Sequence, residues 1–189
     1  MSELVFPSLD YQKSFIAGAK EFDSEGNINS TYIVGLGFSL DSLTTNFYDF
    51  VCALKRLSNS ALLPDGYYVD QVFWLTNNSE YIGQVSVRPE LTTPYLITYG
   101  GHIGYSIRPS KRRCGYGTKI LSKALEIAQK NKLKRVLVTC DSDNIGSRKI
   151  IEKNGGCYET SISMTNSSFA TEGRPISKEV KKLRYWIDL

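Results

Sequence analysis

Histidine is almost missing from this sequence: of 189 residues, only His102 is one. A zinc site would have to draw on cysteines or carboxylates from distant segments, so no metal is expected. Cysteine is scarce as well. Cys52, Cys114, Cys140 and Cys157 are scattered, with neither a CxxC pair nor the density of a disulfide scaffold, and they read as free thiols in a reducing cytoplasm. No run approaches the roughly 18 to 20 apolar residues that span a bilayer. The first segment, Met1 to Tyr11, carries acidic but no basic side chains. The expectation is therefore a cytoplasmic protein, neither secreted nor inserted in a membrane, in which the glycosylation sequons at Asn29, Asn77 and Asn166 carry no meaning. A charge excess of one sign is also lacking. The net charge of +4 is too small to point by itself to nucleic acid or a membrane surface.

What is present suits a folded globular chain: 41% hydrophobic, 22% charged and 12% aromatic residues leave no case for disorder. The length fits one domain over residues 1–189. Leu4 to Phe6 reads as a first strand, and Ser8 as the cap of a helix with Tyr11, Phe15, Ala19 and Phe22 on one face. Phe47, Phe50, Val51 and Leu54 give a second amphipathic helix. Tyr68 to Leu75, a turn at Asn77 to Ser79, and Tyr81 to Val87 read as a hairpin. Its aromatics Tyr67, Tyr68, Phe73 and Trp74 suit either core packing or an acceptor pocket. Ile103, Tyr105 and Ile107 alternate in another strand, Thr118 to Lys130 has helical spacing, and Val136 to Val138 is an apolar run of the kind buried on both faces. Asp143 or Asn144 caps a further helix that stops at Gly155, residues 161–173 read as a surface loop, and Leu183, Tyr185 and Ile187 alternate in a last strand.

The stretch from Arg108 to Lys119, Arg-Pro-Ser-Lys-Arg-Arg-Cys-Gly-Tyr-Gly-Thr-Lys, carries the chemistry. It holds five cations and no acid. It joins a strand to a helix, where Gly115 and Gly117 let backbone N–H groups converge and the helix N-terminus adds partial positive charge, as a phosphate requires. A tight turn with solvated arginines would use the same glycines. The segment is neither a nucleotide-cleaving P-loop, since Thr118 follows the second glycine, nor a dinucleotide motif, since Gly-x-Gly-x-x-Gly is missing.

Arg112-x-x-Gly115-x-Gly117 resembles the pyrophosphate-binding signature of the GNAT superfamily of N-acetyltransferases. Asp143-Asn144-Ile145-Gly146-Ser147, followed by the segment from Ile150 to Gly156, is similar to that family's later helix. The run from Gly101 to Ser110 resembles the bacterial group called predicted acetyltransferases. The resemblance implies an α/β (α+β) fold with a mixed central sheet of six to seven strands, helices on both faces, and splayed fourth and fifth strands, here Ile103 to Arg108 and Val136 to Asp141. It implies acetyl-CoA as co-substrate and an amine of a small molecule or peptide as acceptor. Coenzyme A would be held by Ser106, Ile107, Arg108, Arg112, Arg113, Cys114, Gly115, Tyr116, Gly117, Thr118, Asn144 and Ser147, with Lys111 or Arg113 near the outer phosphate. A backbone N–H near Ser106 or Ile107 would meet the oxyanion.

For the base that takes the amine's proton the candidates are His102, Asp141 and Glu90, with water as the alternative. Many family members carry a tyrosine acid where this chain has Ile151, so Tyr105, Ser147 or solvent would replace it. Two other readings stand beside the enzyme: a non-catalytic coenzyme A-binding regulatory domain and, ranked last, an RNA-binding module. A monomer or a homodimer is expected.

Overall fold

The computed structural model describes residues 2–63, 68–163 and 180–189. Seven strands form one sheet: β1 (Ser2–Val5), β2 (Gln71–Asn77), β3 (Glu80–Val87), β4 (Ile103–Ile107), β5 (Arg135–Asp141), β6 (Cys157–Ser163) and β7 (Lys181–Asp188). Their order across the sheet is β1-β2-β3-β4-β5-β7-β6. Every pairing is antiparallel except β4 with β5, as the mixed-sheet expectation requires. The hairpin of β2 and β3 turns on Asn78 and Ser79, whose φ of 47° and 65° match the twist of the flanking strands.

Helices α1 (Gln12–Ser24) and α2 (Phe47–Arg56) cover one face, and α3 (Tyr116–Lys130) and α4 (Ile145–Lys153) the other. Under the first pair lies an aromatic core in which Phe15 stacks on Trp74 with ring centroids 4.7 Å apart. Under the second, Ile120, Leu121, Ala124 and Ala128 of α3 and Ile151 of α4 pack on Val85, Val87, Val136 and Val138. Each fully buried aliphatic or aromatic side chain contributes about 1.5 to 3 kcal/mol, so the two cores hold the sheet between them. No helix among the described residues is long and apolar enough to cross a membrane.

Several boundaries differ from the sequence reading. Ser8 caps a single 3-10 turn, Leu9–Tyr11, which precedes α1. Helix α3 begins at Tyr116, two residues before the apolar spacing becomes visible. Residues 161–163 end strand β6, and the remainder of the anticipated loop, like Asn166, lies outside the described residues. Trp74 is buried in one core and Phe73 packs against the other, while Tyr68 lies beneath the Arg88 guanidinium at 5.6 Å and Tyr67 is outside the described residues.

Candidate active site

Strands β4 and β5 are paired at one position only, Ile103 opposite Val138, and then part. Backbone direction along β4 decides what the gap receives. Arg108 N–H donates to Ile82 O of β3 at 2.9 Å, and the Ser106 carbonyl points so directly at Gly83 that a Cβ there would sit 2.3 Å from it. In an antiparallel ladder, direction alternates by residue. The N–H and C=O groups of Tyr105 and Ile107 therefore face the gap, and of the two anticipated oxyanion donors it is Ile107, not Ser106, that does so.

The gap opens into a cleft of about 360 Å³. Tyr105, Ser106 and Ile107, then Arg112, Arg113 and Gly117, then Asn144 and Ser147 form its walls, and all were expected from the sequence. Phe22, Asn27, Ser30, Gly146 and Ile150 complete it. The first three come from α1 and the turns after it, a region without a readable motif.

The turn before α3 has the shape an anion needs. Arg113 (φ 62°) and Gly115 (φ 79°) adopt left-handed conformations, and the first intrahelical bond of α3 is Lys119 N–H to Gly115 O. The amides of Tyr116, Gly117 and Thr118 precede that bond and are left for a ligand at the positive end of the helix. Gly117 lies close under α4: a Cβ there would come 2.4 Å from Ile150 Cδ1 and push that side chain aside.

The cations of this loop are not all available for phosphate. Arg108 binds Glu21 (2.7 Å) and Glu80 (3.5 Å), Lys111 binds Glu80 (2.8 Å), and Arg112 binds Glu25 (2.8 Å) while donating to Ile107 O (3.1 Å). Burial opposes ionisation of Glu21, but donors from Arg108 and from the Ser110 N–H and hydroxyl outweigh it and hold its carboxyl at about 2. Of the expected cofactor ligands, Arg108 is thus ion-paired and outside the cleft wall, as is Lys111, the alternative to Arg113 for the outer phosphate. Arg113 makes no ion pair among the described residues and lies in the cleft wall. Cys114 is exposed outside the cleft, and the Tyr116 hydroxyl accepts from Asn77 Nδ2 at 3.3 Å. Gly115 and Thr118 border a neighbouring depression of about 500 Å³ that includes Lys119, Lys123 and Lys153.

At the inner end of the cleft the Tyr105 hydroxyl meets Ser147 Oγ at 2.7 Å, and burial raises the Tyr105 pKa, keeping it a proton carrier. Asn144 caps α4 by accepting from Ser147 N–H at 3.0 Å, which fixes the serine in place. The expected bases fare differently. His102 is buried and outside the cleft wall, with Nδ1 accepting from Leu137 N–H at 2.9 Å, and both burial and Arg88 lower its pKa. Asp141 is ion-paired with Lys182 and likewise stands outside the wall. Glu90 is exposed in the segment after β3. Among the described residues no group of three or more His, Cys, Asp or Glu gathers as a metal site would need.

The model of the acetyltransferase (GNAT) domain matches residues 51–156, more than half of the chain. The chain belongs to the GNAT acetyltransferase family. Solved structures with this fold include the ribosomal L7/L12 alpha-N-protein acetyltransferase in complex with coenzyme A (14% identity, TM-score 0.65, covering 100% of this chain and 94% of that one). The microcin C7 self-immunity acetyltransferase in complex with acetyl-CoA and AMP matches at 14% identity and TM-score 0.63, covering 100% and 92%. A ribosomal-protein-alanine N-acetyltransferase from Brucella melitensis matches at 13% identity and TM-score 0.61, covering 100% and 99%. At such identities the likeness is one of fold. No curated protein matches significantly.

GNAT chemistry is acetyl transfer from acetyl-CoA, and the cleft suits that co-substrate: an exposed strand edge for the amides of its arm and a helix end for its phosphates. Ile151, which stands where many GNAT members have a tyrosine acid, is fully buried in the core beneath α4. Its neighbour Ile150 reaches the cleft with an apolar side chain. Within this GNAT chain, Tyr105 and Ser147 are the hydroxyls that line the cleft and touch each other.

Proposed function

We propose that this chain transfers the acetyl group of acetyl-CoA by direct attack of a primary amine carried by a small molecule or peptide. The observation that supports this best is the parting of β4 from β5 after a single pair, with the backbone of Tyr105 and Ile107 turned into the gap and the left-handed turn of Gly115 at its outer end. Acetyl-CoA supplies an activated acyl thioester. The amides of Tyr116, Gly117 and Thr118, with Arg113, hold the pyrophosphate. Lys119, Lys123 and Lys153 in the adjoining depression suit the remaining phosphate. Ile107 N–H donates to the developing oxyanion, a contribution of about 3 to 4 kcal/mol when such a donor is well placed.

Ser147, backed by the Tyr105 hydroxyl, protonates the departing thiolate. That group leaves with modest assistance, since thiol pKa values lie near 8.5. The amine loses its proton through water, because Asp141 and His102 are engaged with Lys182 and Leu137.

A thiol-release assay with acetyl-CoA and a broad amine panel tests the reading, with turnover above the spontaneous rate expected. The engaged state of His102 and Asp141 favours one rival, a coenzyme A-binding regulatory domain. Calorimetric binding of acetyl-CoA without turnover on any amine would establish that rival, and absence of binding at millimolar concentration would sink both.

A further inference from the structure

His102 stands at the apex of the gap, where two bonds tie it to β5. Leu137 N–H faces β4 and needs an acceptor. The His102 carbonyl is turned the other way, accepting from Arg88 N–H of β3 at 2.8 Å. The imidazole serves instead: Leu137 N–H donates to Nδ1 at 2.9 Å, while His102 N–H returns a bond to Leu137 O at 2.8 Å. Both bonds close on one residue of β5. The chain before the histidine is pressed against the same residue, since Gly101 (φ 71°) would place a Cβ 2.6 Å from Leu137 O. Arg88 Nη1 holds the Gly101 carbonyl from behind at 3.2 Å. One ladder pair later, the strands separate.

We infer that His102 is a positioning residue, the pin whose side chain takes the place of a strand carbonyl, ties β4 to β5 at the closed end of the gap and so fixes where the gap that receives acetyl-CoA begins. The consequence for cofactor binding rests on the function proposed above, whereas the pin itself does not. Arg88 of β3 faces the imidazole, with Asp70 beyond it at 3.4 Å, and the Trp186 ring of β7 lies with its centroid 6.1 Å away. Burial and the charge of Arg88 favour the neutral ring, whose Nδ1 lone pair remains open to Leu137.

Two substitutions and one measurement on the unaltered protein test this. His102→Ala removes the acceptor, and His102→Asn offers Oδ1 in its place. The apparent acetyl-CoA constant should rise about tenfold in the alanine variant, the scale set by one orphaned buried donor. It should return to within about threefold in the asparagine variant, whose kcat and pH-rate profile stay as in the parent. Leu137 amide exchange should quicken with alanine and slow again with asparagine. A general base would give the opposite split: kcat would fall in both variants and the profile would lose its limb, which overturns the inference. Unchanged acetyl-CoA binding and unchanged Leu137 exchange in the alanine variant would also overturn it. Should either variant fail to fold, nitrogen NMR of the parent protein decides: Nδ1 must appear as a hydrogen-bonded acceptor coupled to Leu137 N–H, and a protonated Nδ1 refutes the pin. If the parent binds no acetyl-CoA, the proposed function fails, while exchange and NMR still read the pin.

Discussion

Replacing Glu21 by glutamine tests the physics of the cofactor loop most directly. The carboxylate takes Arg108 Nε at 2.8 Å and the Ser110 N–H and hydroxyl at 2.9 and 3.0 Å, and its pKa falls from 4.5 to about 2. At about 1.4 kcal/mol per tenfold change in equilibrium, that drop corresponds to roughly 3 kcal/mol. The side chain keeps 27% of its exposure, so screening by water reduces the stabilisation to about 2 kcal/mol. The sign follows from the direction. A depressed carboxylate stabilises the fold above its unfolded pKa near 4.5, and this stability is lost as pH falls towards 2. Urea denaturation of parent and Glu21→Gln at a series of pH values should show the variant weaker by about 2 kcal/mol at pH 7, with the two curves converging by about pH 2. Parallel curves with a constant offset would mean that the bonds to Glu21 do not depend on its charge, and the account of the clamp would be wrong.

Ser147→Ala and Tyr105→Phe should each lower kcat by about ten- to a hundredfold with little change in the acetyl-CoA KM, and the double variant should be no worse than Ser147→Ala in steady-state thiol release. Arg113→Ala should raise the acetyl-CoA constant about tenfold by calorimetry, whereas Lys111→Ala, whose charge Glu80 already balances at 2.8 Å, should change it by less than about twofold. Gly115→Ala forces a side chain to φ 79° and should cost about 1 to 2 kcal/mol of stability, read by thermal or urea unfolding, together with weaker acetyl-CoA binding.

The parts legible in the sequence are those governed by neighbours along the chain. The run Val136 to Val138 reads as a strand covered on both faces and is one, the Asn144 cap lies three residues from the amide it satisfies, and Gly115 marks its own backbone conformation. What escaped depends on distant partners. The loop cations read as phosphate ligands because two of the acids that bind them, Glu21 on α1 and Glu25 at its end, are each 87 residues from their partners Arg108 and Arg112. Strand β6 shows no apolar alternation, being largely exposed, and exists because β7 supplies its hydrogen bonds. His102 suggested a base by its unperturbed pKa, but a backbone donor 35 residues along the chain holds the nitrogen concerned.

The clamp also changes how the site must work. With Arg108, Lys111 and Arg112 balanced by Glu21, Glu25 and Glu80, the proposed function leaves backbone amides and Arg113 to meet the phosphates, and on that proposal affinity depends more on the shape of the turn than on summed charge. That shape is held from α1, the helix that contributes Phe22 to the cleft and leads into Asn27 and Ser30. The Ser30 carbonyl in turn accepts from Gln84 Nε2 at 2.5 Å and Ser106 Oγ at 3.1 Å, fastening the same segment to the sheet beside the reacting centre. The turn before α3 and the cleft wall are thus both fastened to α1 and the turn that follows it.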